Sequence, residues 1–113
     1  MSRGPTPMLE EIEQLLTAPA SGDGAPSLAC LEDTLTEGYA QALALEAERW
    51  RLEQRLGEVA RTIDGPDVSR SADELRALAK GITHADGELH QLRTLLETLH
   101  ERTRRLRIAA RAS

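Results

Sequence analysis

Two runs of a seven-residue apolar repeat occupy most of this 113-residue chain and restrict its fold more than any other feature. In the first run, position a falls at Leu28, Leu35, Ala42, Arg49, Leu56 and Ile63, and position d at Leu31, Gly38, Leu45, Leu52 and Val59. Arg49 and Gly38 are its exceptions. In the second, a falls at Leu75, Ile82, Leu89, Leu96, Thr103 and Ala110, and d at Leu78, Ala85, Leu92, Leu99 and Leu106, with Thr103 the one exception. An apolar period of 3.5 residues held over five heptads lays one stripe along a helix and requires a second helix to cover it. No segment alternates as a strand would. The expected fold class is all-α: an antiparallel two-helix coiled-coil hairpin with a short N-terminal amphipathic helix.

Turn and cap residues set the expected boundaries. Ser27 suits the N-cap of the first long helix, and Asp64-Gly65-Pro66 suits its stop, because Gly accepts the left-handed C-terminal position and Pro cannot continue the ladder. Ser71 with Glu74 reads as a capping box for the second. The hairpin is therefore placed at 27–113, with helices over about 28–63 and 71–108. Residues 1–26 read as a flexible N-terminal segment with a short helix at about 7–17. There Thr6 is the expected cap, Pro7 the first helical residue, and Met8, Leu9, Ile12, Leu15 and Leu16 the apolar face. The stretch 18–26 (APASGDGAP) reads as a linker.

A short connection between helices of similar expected length favours antiparallel neighbours. Charge points the same way. Residues 1–48 carry one basic and nine acidic side chains, whereas residues 101–113 carry five basic and one acidic. Paired positions then sum to about 134, which sets Glu32, Asp33 and Glu37 against Arg102, Arg104 and Arg105, Leu31 against Thr103, and Gly38 against Leu96. Gly57, Gly81 and Gly87, isolated inside helices, read as close approaches or bends. Arg49, a lone charge in the seam, reads either as a register-fixing residue near Ala85, Asp86 and Glu88 or as a stem snorkelling to water.

Composition narrows the function classes. Tyr39 and Trp50 are the only aromatics, and the net charge is −5. The single cysteine, Cys30, leaves no internal disulfide or multi-cysteine metal site and is expected to be a half-buried thiol. No apolar run approaches the roughly 20 residues of a membrane span. No secretory-type apolar stretch follows Met-Ser-Arg-Gly-Pro, so the expected location is cytoplasmic. Thirteen arginines against one lysine, Lys80, match the coding bias of a GC-rich bacterial genome.

The first long helix carries a second stripe. Ala40, Leu43, Ala47 and Trp50 fall at heptad positions f and b, facing away from the seam, with Tyr39 at the edge. An outward Leu and Trp call for cover, and Trp is a common interface anchor. These five are the candidate partner-binding residues. The expected partner is a second copy, most simply as a dimer, or a helix of another protein, with the N-terminal helix as a possible lid. The alternative reading is a nucleic-acid contact through Arg102, Arg104, Arg105 and Arg107. Against it stand the acidic first helix within reach and the lack of aromatics nearby for base stacking.

No two of His84, His90 and His100 share a helix face. The pairs His84/Glu88 and Asp86/His90, four residues apart, would give a two-ligand site at best, so these read as solvent-facing histidines beside carboxylates. Nothing assembles a phosphate loop, a nucleophile with its base, or convergent carboxylates. No catalytic residue, cofactor or metal is expected, and the chain reads as non-enzymatic.

The stretch Leu31 to Ala60 (LEDTLTEGYAQALALEAERWRLEQRLGEVA), followed by a second helix with ADGELHQLR, resembles small actinobacterial helical-hairpin proteins and the hairpin of the anti-sigma factor RsiG. The likeness covers residues 28–108 and implies a regulatory protein–protein role. The anti-sigma hairpin binds cyclic di-GMP through a spaced Glu, Ser, Arg, Gln, Asp signature. Neither expected helix has an interior Ser, so no ligand-binding residue is implied here. The secreted helical pairs with Trp-x-Gly at the turn are a poor match, since Trp50 lies mid-helix and the turn reads Asp64-Gly65-Pro66-Asp67.

Overall fold

The computed structural model describes residues 5–63, 65 and 67–112. It contains three helices, α1 (Pro5–Thr17), α2 (Leu28–Arg61) and α3 (Val68–Ala112), and no strand among the described residues. Helices α2 and α3 pack against each other as an antiparallel hairpin, so the chain is all-α.

The helix ends differ from the expected ones for local reasons. Helix α1 begins at Pro5, so Thr6 lies inside the helix and is not its cap. Ser27 does cap α2: its Oγ accepts from the Cys30 N–H at 3.1 Å. Helix α2 ends two residues before Ile63, where the Thr62 N–H bonds to the carbonyls of both Glu58 and Val59 at 3.2 Å and tightens the last turn. Gly65 follows with φ +120°, a conformation closed to most side chains. The flanking Asp64 and Pro66 lie outside the described residues. Helix α3 starts three residues early, because the Asp67 carbonyl accepts from the Ser71 N–H at 3.0 Å and Asp67 takes the cap position. Ser71 is not the cap, Glu74 pairs elsewhere, and Ser69 and Ser71 sit in the first turn. At the other end no breaker follows Leu106, and α3 runs on to Ala112. The two long helices therefore have 34 and 45 residues, not matching lengths.

The chain divides into two compact units, each containing part of α2 and part of α3. The first comprises residues up to Ala42 and from His90 onward, and is a three-helix unit because it includes α1. Met8 and Ile12 of α1 are buried with Leu31, Leu35 and Ala42 of α2 and Leu92, Leu96 and Leu99 of α3. Thr103, the polar exception in the second repeat, is 1 % exposed. Its hydroxyl donates to the Leu99 carbonyl at 2.7 Å, which removes the cost of burying it. Gly38 meets Leu96 as the register predicts: a Cβ there would collide with Leu96 Cδ2.

The second unit, Leu43–Leu89, is a two-helix unit. Leu45, Val59, Ala85 and Leu89 are its buried apolar residues. Leu52, Leu56, Leu75, Leu78 and Ile82, although at seam positions, are only partly buried. A Cβ added at Gly81 would stand at ordinary contact distance from Leu52, and the Arg55 guanidinium bonds Glu74 at 2.8 Å. Among the described residues, seven of the eight most deeply buried large side chains belong to the first unit, and only Leu89 belongs to the second. A two-helix pair buries one stripe per helix, and this one buries it incompletely.

Candidate interaction surface

Among the described residues, the second unit carries the two most exposed large apolar side chains. Leu43 is 66 % and Trp50 61 % exposed, with Ala47 also exposed between them on the same turns of α2. The spacing 43, 47, 50 sets all three on the face opposite the a and d seam, so packing against α3 leaves them outside. Gln54 continues the line one turn on, and no charged residue interrupts it. Glu46 and Arg51 flank it. In the first unit, Tyr39 is 46 % exposed and Ala40 is exposed. All five residues singled out from the sequence are thus open to solvent.

Arg49 occupies its seam position with its stem half buried and its guanidinium turned to carboxylates. It donates to Asp86 Oδ1 at 2.8 Å and lies 3.6 Å from Glu53. The hydrogen bond to Asp86 is the main influence raising its pKa further above the usual arginine range. Its stem leaves the seam and its guanidinium joins α2 to α3 through Asp86.

The arginine-rich end of α3 is already engaged within the first unit. Arg102 does not face the acidic part of α2; its guanidinium donates to the backbone carbonyls of Leu15, Leu16 and Ala18 at 2.9, 2.6 and 2.7 Å. Arg104 and Arg105 likewise turn to Glu101 on their own helix, at 3.3 and 3.4 Å. The Arg104 hydrogen bond, with Arg105 adding to it, holds the Glu101 carboxyl below the usual carboxylate range. Arg107 reaches Glu32 of α2 at 3.0 Å. A shallow groove of about 790 Å³ runs beside these groups, lined by Leu16, Leu106 and Ala109 with Arg102 and Arg105.

The role of Arg102 was not read from the sequence, though a signal existed. Helix α1 has no basic residue in its last turn, and terminal carbonyls in a packed helix need a donor from somewhere. The histidines are exposed, and His84 contacts Glu88 as the spacing suggests. No group of three or more His, Cys, Asp or Glu side chains converges among the described residues. Cys30 is exposed rather than half buried, because position c lies outside the seam. No helix among the described residues is long and apolar enough to cross a membrane. In comparisons with protein-family models, curated proteins and solved structures, the chain matches none.

Proposed function

We infer that this chain is a non-enzymatic helical interaction module, cytoplasmic, which self-associates through the Leu43, Ala47 and Trp50 face of its second unit. One observation carries the reading: the unit with fewer deeply buried side chains also holds, among the described residues, the two most exposed large apolar side chains. A helical pair burying one stripe is marginal alone, and covering Trp50 and Leu43 adds the apolar burial that the pair lacks. The interface is small beside a standard stable one, so a reversible dimer is the expected form. The engagement of Arg102, Arg104, Arg105 and Arg107 inside the first unit favours a protein partner over nucleic acid. The likeness to the anti-sigma hairpin adds a regulatory setting, in which the same face docks a helix of another protein.

The test is Trp50→Glu. Sedimentation equilibrium of the native chain should show mass rising with concentration toward a dimer, and the substitution should hold it at the monomer with helicity unchanged. A native chain that stays monomeric up to about millimolar concentration, the range where such weak contacts register, would remove the proposal.

A further inference from the structure

We propose that the seat of α1 in the first unit is a receptor for a short amphipathic helix, that α1 fills it in cis, and that a helix of a partner protein built like α1 takes its place. This surface lies within the first unit and is separate from the Leu43 and Trp50 face of the second, so it goes beyond the self-association proposed above.

The seat takes hold of features that many helices carry. Its apolar part buries Met8 and Ile12, four residues apart on one face, to 1 % and 0 % exposure, while Leu9, Leu15 and Leu16 are only partly buried. Its polar part is Arg102, which donates to the carbonyls of Leu15, Leu16 and Ala18. The last carbonyls of a helix lack intrahelical partners whatever the sequence. This planar fork therefore reads a helix end rather than particular side chains. Glu10 and Glu13 stay exposed, and Glu13 shares a small cleft with His90 and Thr94 of α3. The fitting occupant is thus an acidic amphipathic helix with two large apolar residues four apart and a free C-terminal turn.

Little beyond these contacts holds α1 in place. At 13 residues it is close to the length at which an isolated helix is marginal in water. The connection over 18–26 is mostly exposed, and Gly22 and Gly24, at φ +81° and +87°, have nothing but their chain neighbours within 4 Å of an added Cβ. Extended, those nine residues reach roughly 30 Å, so α1 leaves its seat without pulling on Ser27, which caps α2. A short flexible connection keeps a tethered helix at an effective concentration of about a millimolar. In cis, α1 is therefore an autoinhibitory occupant that sets the threshold a partner helix has to exceed.

The test uses the full chain with residues 21–24 replaced by a protease recognition sequence, so that one cut frees α1 and leaves every seat residue in place. The probe is a dye-labelled peptide of residues 5–19, followed by fluorescence anisotropy. The uncut chain should take up the peptide about tenfold to a hundredfold more weakly than the cut chain at micromolar concentration, because the tethered α1 competes. In the cut chain Arg102→Ala should weaken uptake about tenfold, with Arg102→Lys between. A peptide carrying Ile12→Asp should not bind. A peptide continued past Thr17 by an Ala-rich helix should bind more weakly, since its carbonyls are then taken up within the helix. A cut chain that takes up no peptide overturns the receptor. Uptake indifferent to both Arg102→Ala and the extension overturns the reading of a helix end. A Trp50→Glu chain that still dimerises, and becomes monomeric on adding Ile12→Asp, makes the occupant a second copy's α1 and overturns the foreign partner. Failure of the Trp50-dependent dimer to form leaves all of these results unchanged, so the two proposals fail separately.

Discussion

Gly38 and Gly87 show how the same residue type serves opposite purposes two-fifths of the chain apart. Both lie inside long helices, where Gly costs about 1 kcal/mol relative to Ala. At Gly38 the missing Cβ is occupied space: Leu96, itself 1 % exposed, fills it, and any added carbon collides with its Cδ2. At Gly87, apart from its own stretch of helix backbone and its chain neighbours, nothing lies within 4 Å of where a Cβ would be. Gly87→Ala should therefore stabilise the fold by about 0.5–1 kcal/mol through the unfolded chain's lost freedom. Gly38→Ala should gain the same propensity but incur about 1–3 kcal/mol of overpacking, giving a net loss of about 1 kcal/mol. Urea unfolding followed by circular dichroism separates the two, with the midpoint rising in one variant and falling in the other. The reading of Gly87 from sequence as a close approach is thus corrected, while that of Gly38 against Leu96 is what the structure contains.

At the scale of elements, what was legible was whatever the heptads and register encode. The two long helices, the antiparallel sense and the sum near 134 all appear, as Gly38 against Leu96 and Arg49 against Asp86 attest. What was not legible was the third helix's seat, because α1 is too short for its own period to name a partner. The answer lies in the g positions. In the first unit these are Thr34, Gln41, Leu95, Arg102 and Ala109, with Thr34 buried. In the second they are Glu48, Arg55, Thr62, Glu74, Gly81 and Glu88, mostly charged, so an apolar helix finds no seat there. Arg102 completes the seat by bonding three carbonyls at the end of α1, with a planar fork that lysine lacks. Replacing it with Ala leaves partly buried carbonyls unsatisfied, at about 1–3 kcal/mol. Arg102→Ala should make the segment 18–26 readily cleaved by protease and strip protection from α1 amides, while the α2–α3 hairpin stays helical. Arg102→Lys should fall between. If α1 stays protected in the Ala variant, apolar burial of Met8 and Ile12 holds it without the clamp.

For the whole molecule, the consequence is an uneven distribution of stability within one continuous pair of helices. Amides open locally where few apolar contacts hold them and stay closed where many do. Among the described residues, the first unit holds seven of the eight most deeply buried large side chains, and the second holds Leu89. In dilute solution, hydrogen exchange should therefore be slow for Leu31–Ala42 and Leu92–Thr103 and markedly faster for Leu45–Val59 and Leu75–Ala85. Concentration then becomes the informative variable. A partner that binds only the folded state adds stability by mass action, and a second copy seated on Leu43 and Trp50 would deliver it to the second unit. Raising protein concentration through the dimerisation range should slow exchange in Leu45–Val59 selectively and leave Leu92–Thr103 where it was. Trp50→Glu should abolish that concentration dependence without altering the dilute-solution pattern. Uniform exchange along both helices at low concentration would show that the half-buried leucines of the second unit are stable unaided, and the physical reason given for self-association would be gone even if dimers were still observed.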